Sequence, residues 1–179
     1  MKHQMTLPFL IPNSVLSIVS RWISRFRRVR HVSKVNSRVE EIEKVLLNIP
    51  QIDAPLTHRF SPGVYLREIF MPAGSLIIGH EHKTEHFNII LQGKALVNMD
   101  GVIHEIAAPD IFISKPGVRK ILLIQEDMRW ATIHPTKQTN IGKLEDLLVI
   151  KSESFVKHHE VEALKNHIES KSIADSAIL

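Results

Sequence analysis

With 179 residues, 44% of them hydrophobic and 23% charged, the chain suits one soluble domain with appendages better than two full domains. It contains no cysteine, which excludes disulfides, thiolate metal sites and cysteine nucleophiles. The net charge of +4 is unevenly spread. Residues 1–34 carry seven basic and no acidic residues, leaving 16 basic against 19 acidic in the remainder, so the body is not expected to track nucleic acid.

The N-terminal arm reads "LPFLIPNSVLSIVSRWISRFRRVR". Asn13 can cap a helix in which Val15, Leu16, Val19, Trp22, Ile23 and Phe26 share one face, with Arg21, Arg25 and Arg28 on the other. Such a basic amphipathic helix can meet an anionic membrane or a protein partner, and the alternative is a disordered extension. The apolar run is short and broken by Pro12, Asn13 and serines, so it spans no membrane, and no cleavage site marks a secretory leader. The expected location is the cytoplasm of a host cell, with association with a virion or a membrane surface as the alternative.

Next, "SRVEEIEKVLLNIP" offers a capping box, Ser37 with Glu40, and an apolar stripe of Val39, Ile42, Leu46 and Ile49 that ends at Pro50. This predicts a helix docking on the body. From about Ser61 to Pro135 the pattern changes to short apolar runs separated by turn signals, among them Pro72 with Gly74, Gly79, Gly93, Asp100-Gly101 and Pro116-Gly117. Evenly spaced short strands predict an all-β barrel or jelly roll, with Asp100-Gly101 as its clearest hairpin. The helical patterns "KLEDLLVI" and "SFVKHHEVEALKNHIES" follow, so helices flank the β core on both sides. The chain thus divides into an arm (1–34), a docking helix and connector (35–58), the β core (59–136) and C-terminal helices with a tail (137–179).

Chemistry is densest in "GHEHKTEHFNIILQG". In an extended chain residues of equal parity share a face, so His80, His82 and His86 converge with Asn88 while Glu81, Lys83 and Glu85 point away. Neutral imidazole suits zinc, iron, nickel or manganese, and three protein ligands leave positions open for a small molecule. Asn88 can orient a water or ligand, and His104 and His134 can join if their strands face inward. Arg67 and Glu68 are adjacent, so one of the two points inward. His158 and His159 stand on a helical face with Lys157 and Glu160, where solvent is their natural environment. No nucleophile elbow, P-loop, dinucleotide fingerprint or helical H-E-x-x-H is present.

This stretch resembles the first motif of the cupin superfamily, G-x5-H-x-H-x(3,4)-E-x6-G, with Gly74, His80, His82 and Gly93 in register and His86 at the glutamate position. "PDIFISKPGVRKILLI" resembles the second motif, with Gly117 retained, Pro109 and Lys115 replacing a glycine and a proline, and Lys120 at the position of the fourth ligand. There an ammonium opposes a cation unless it turns outward, or it recognises an acidic ligand. "PQIDAPLTHRFSPGVYLREIFMPAG", "HKTEHFNII", "PGVRK" and "WATIHPT" together resemble small cupin-like proteins common in bacteriophage and prophage genomes. The resemblance implies a cupin barrel holding a divalent metal or small ligand, and a homodimer. The functions open to it are a non-catalytic binding protein, a metal-dependent enzyme of oxygenase, isomerase or hydrolase type, and a regulator acting through the arm.

Overall fold

The computed structural model describes residues 6–10 and 32–176. Its elements in chain order are β1 (Thr6–Leu10), α1 (Val32–Leu46), β2 (Leu56–Ser61), β3 (Val64–Met71), β4 (Ser75–Gly79), β5 (Glu81–His82), β6 (His86–Met99), β7 (Val102–Ala107), β8 (Asp110–Ser114), β9 (Lys120–Pro135), α2 (Ile141–Leu148), β10 (Val149–Ile150) and α3 (Glu153–Ser176). The all-β core with flanking helices is a cupin-type jelly roll.

Two long strands organise it. The C-terminal half of β9 pairs with β3 and the N-terminal half of β6, giving the order β2-β3-β9-β6-β8. The N-terminal half of β9 pairs with β4 and the C-terminal half of β6, giving β1-β4-β9-β6-β7. All pairings are antiparallel. Register shifts between Ile90 and Ala95 let β6 pass from one sheet to the other. They also invert its parity: His86, Asn88 and Ile90 are buried before the shift, Ala95 and Val97 after it. Asp100 (φ 54°) and Gly101 (φ 81°) form the β6–β7 turn, both left-handed as a two-residue hairpin of type I′ requires.

One end of the interior is apolar, filled by Ile69, Met71, Ile77, Ile90, Val97, Leu122, Ile124, Met128 and Trp130. A second cluster seals the helices against the other face of β4 and β9: Val39, Leu46 and Leu47 of α1 and its end meet Leu76, Ile78, Ile121 and Phe155, with Ile42 and Ile49 against them. The docking stripe is therefore as the sequence implies, but α1 begins at Val32 and runs through Ser37, so the Ser37–Glu40 pair lies inside the helix and not at its start. Extending a formed helix is far easier than nucleating one, and a local capping signal loses to that. The stripe also hides an ion pair. Glu43, fully buried, accepts from Arg119 Nη2 at 2.7 Å and from Ser154 Oγ at 2.8 Å, while Arg119 Nε donates to the Gly79 carbonyl at 3.1 Å.

Within the arm, β1 pairs along β4, Thr6 opposite Gly79 and Leu10 opposite Ser75. Strand β1 is an edge strand, which is where Pro8 is tolerated. The amphipathic helix expected from Asn13 to Arg28 lies outside the described residues. Among those described, no helix is long and apolar enough to cross a membrane.

Candidate metal and ligand site

The polar end of the interior is built by three strands and a ribbon. Phe87 of β6 faces Ile133 of β9, which sets His86 beside His134; Tyr65 of β3 faces His134 from the other side. His82 arrives differently. Strand β5 pairs with β10, His82 opposite Val149, and the His82 carbonyl accepts from Gly117 N–H at 3.0 Å. The C-terminal segment after the jelly roll thus holds one of the three histidines in place.

His82, His86 and His134 each offer a ring nitrogen within 4.8 Å of the others, and their ring centroids lie 4.1, 4.9 and 5.4 Å apart. His86 Nδ1 lies 3.0 Å from the Thr84 carbonyl, an acceptor only, so this nitrogen carries the proton and Nε2 keeps a free lone pair. His86 Nε2, His82 Nδ1 and both nitrogens of His134 are buried without a hydrogen-bond partner. Buried polar atoms are rarely left unpaired, so one nitrogen on each of these three rings is available to an ion, a feature that the unpaired nitrogens of His80 share without its joining the group. Burial, followed by the neighbouring positive groups, pulls His134 down to about 3, while burial lowers His86 to about 4 against the opposing Thr84 hydrogen bond. His82 is lowered well below its ordinary value, by burial first and then by His86 and Lys120. All three are neutral at pH 7, the form that ligates. Metal–nitrogen bonds of about 2.1 Å would bring tetrahedral donors to about 3.4 Å from one another, within reach of small ring rotations. The donor set fits a divalent transition ion.

His80 stands apart from this trio. It is buried and borders the cavity, but its ring meets Phe155 of α3 edge-on at 4.5 Å, and it is not among the three nitrogen donors. The strand is interrupted at His80, between β4 and β5, so alternation does not carry across it. His134 takes the third place. His104 is exposed on β7 and does not border the cavity, because the β7 residue turned inward is Ile106. Asn88 does border it, with both amide ends engaged: Nδ2 donates to Ser114 Oγ at 2.9 Å and Oδ1 accepts from Trp130 Nε1 at 3.0 Å. It props the wall of the site. Lys120 is buried and turned inward, and burial lowers it to about 8. Glu85 is exposed, as its parity implies. On the C-terminal helix His159 is exposed and His158 half-buried.

The cavity has a volume of about 60 Å³, room for a few waters or a short organic ion. Sequence reasoning left Arg67 undecided and did not single out Thr132 or Trp130, all of which border it. Strand β3, "VYLREIFM", is apolar at both parities, so no alternation tells which face Arg67 takes. The structure turns Arg67 inward and Glu68 outward, where Glu68 accepts from Arg59 Nη1 and Arg129 Nε, both at 2.7 Å.

No protein-family model and no curated protein matches the sequence. Solved cupin structures resemble the fold. They include the cupin domain of Schizosaccharomyces pombe Cnp3, at 20% identity over 48% of this chain and 69% of that one, with a TM-score of 0.40. An RmlC-like cupin family protein of Methanocaldococcus jannaschii is similar at 14% identity over 47% and 81%, TM-score 0.41. A cupin superfamily protein of Desulfitobacterium hafniense is similar at 14% identity over 52% and 87%, TM-score 0.42. No function of this chain rests on these likenesses.

Proposed function

We propose that this protein binds a divalent transition metal through His82, His86 and His134 and takes a small ligand into the adjoining cavity. One observation carries the reading: two buried imidazoles and one half-buried imidazole, with partnerless nitrogens within 4.8 Å. Iron, manganese, nickel and zinc all suit such a set, and three protein ligands would leave positions open for the ligand. What the chain itself supplies is orientation. The Thr84 carbonyl fixes the His86 tautomer, β10 fixes His82, and the Asn88–Trp130–Ser114 network holds the wall. A bound ion would supply Lewis acidity at the cavity's polar end.

A second reading, a metal-dependent enzyme of oxygenase, isomerase or hydrolase type, draws on the same open positions. The binding reading is put first because the donor set and cavity support binding directly, while the reaction would need a general base, for which the non-ligating His80 and Lys120 on the cavity wall are the groups to test. We further propose a cytoplasmic phage or prophage origin, which rests on the sequence stretches alone. A homodimer would use the exposed strip of Phe87, Leu91, Ile111 and Ile113 on β6 and β8. Light scattering that reports the mass of a single chain would remove it.

Cobalt(II) or zinc titration of EDTA-treated protein tests the main reading. About one ion per chain is expected in the wild type, with affinity weakened about 100-fold or more in a His82→Ala, His86→Ala double variant. A wild type that takes up no ion under these conditions overturns it.

A further inference from the structure

We infer that the cavity binds a small carboxylate, gripped by the Nε–H and Nη2–H of Arg67 beside the His82–His86–His134 group. Arg67 is 5% exposed and borders the cavity, and its Nε and Nη2 are buried with no hydrogen-bond partner. These two N–H groups lie parallel along one edge of the guanidinium plane, the edge that matches both oxygens of a carboxylate. A buried guanidinium with that edge unengaged is costly unless an anion or ordered water answers it.

Three further features select an anion. Thr132 lies directly opposite Arg67 on β9 and borders the same cavity, and its Oγ1 is buried without a partner, a hydroxyl ready to donate to a third lone pair. Lys120 adds a second cationic group to the cavity wall. No acidic side chain borders the cavity among the described residues. Glu145, whose charge acts on Arg67, is itself engaged by Lys151 Nζ at 2.7 Å. The cavity thus presents two cationic side chains and a free hydroxyl, while the acidic groups that act on those cations, Glu145 on Arg67 and Asp100 on Lys120, are not part of its lining.

At about 60 Å³ the cavity has room for an acid of a few carbons. Arg67, His82 and His86 all border the cavity, so a carboxylate on Arg67 has the histidines as its second contact. The inference rests on the proposed metal centre only for this second contact; the grip of Arg67 needs no ion.

Calorimetric titration of acetate and glycolate into the full chain, both EDTA-treated and zinc-loaded, tests it against phosphate and chloride at matched ionic strength. Saturable binding of the carboxylates is expected, weakened about tenfold or more by Arg67→Lys, which keeps the charge and loses the fork. Thr132→Val, a near-isosteric change that leaves the ion pairs intact, is expected to weaken binding about threefold or more. Absence of saturable binding in both forms, indifference to both substitutions, or phosphate binding as tight as the carboxylates would each overturn the inference. The two proposals separate cleanly. Carboxylate binding by a protein that never takes up zinc removes the metal reading alone, and zinc uptake without carboxylate binding removes this one alone.

Discussion

His134 has no exposure, no partner for either ring nitrogen, and three positive or like neighbours in His86, Arg67 and Lys120. Burial first, then those neighbours, holds it near 3, and His80 is likewise pulled to about 3 by burial and then by Arg119 and Arg67. In the unfolded chain both would titrate near 6.5. Between those limits the unfolded state binds more protons than the folded one. The contribution of these histidines is therefore complete above about pH 6.5 and declines as pH falls toward 3, by about 1.4 kcal/mol per pH unit for each histidine. The urea midpoint of metal-free protein should change little from pH 8 to 7, where Lys120, lowered to about 8, still contributes, and fall steadily from about 6.5, with a shallower fall in His134→Gln. A midpoint unchanged between pH 7 and 5 would show that these imidazoles are not buried neutral. At this scale His82 and His86 were named from their even spacing. The chain bends at 83–84 and sets them on different strands, β5 and β6, so pairing rather than alternation brings them together. His134 was named among the residues that could join, but no local rule singles it out; its place depends on which strands pair and in what register.

The glycines of the first motif show what an element demands of its sequence. Gly74 and Gly93 both have positive φ, 77° and 84°. At Gly74 an added Cβ would meet nothing within 4 Å, whereas at Gly93 it would lie 2.3 Å from the Asp127 carbonyl oxygen, where β6 shifts register against β9. Gly74→Ala should cost about 1–2 kcal/mol, the left-handed penalty alone. Gly93→Ala should cost about 3 kcal/mol or more, because backbone must move as well. Chemical denaturation of the two variants checks this; equal costs would mean that β6 and β9 are not so closely apposed. The same register shift limited the sequence reading. Strand parity holds from His86 to Ile90 and reverses beyond Gly93, and no run of residue types announces the reversal. Helix α1 was legible as a docking stripe, yet Glu43 in the middle of it was not, because a buried carboxylate is justified by Arg119, Ser152 and Ser154, distant in sequence and adjacent in space.

Across the whole molecule the jelly roll is readable from short strands bounded by Gly, Pro and Asp-Gly turns, since those signals are local and repeat along the core. Their pairing order is not local, and neither is the ribbon between β5 and β10 that brings the C-terminal segment to His82. Strand β1 was hidden because "TLPFL", with its proline, carries little strand character and gains its place only at a sheet edge. The helices are tied to the site through Glu43 and Arg119, whose Nε holds the Gly79 carbonyl just before His80. This arrangement makes metal content the most direct test of the account. Elemental analysis of zinc-replete, buffer-exchanged wild type, His80→Ala and His134→Ala should find about one ion per chain in the first two and almost none in the third. Metal retained by His134→Ala and lost by His80→Ala would contradict the assignment of the site to His82, His86 and His134.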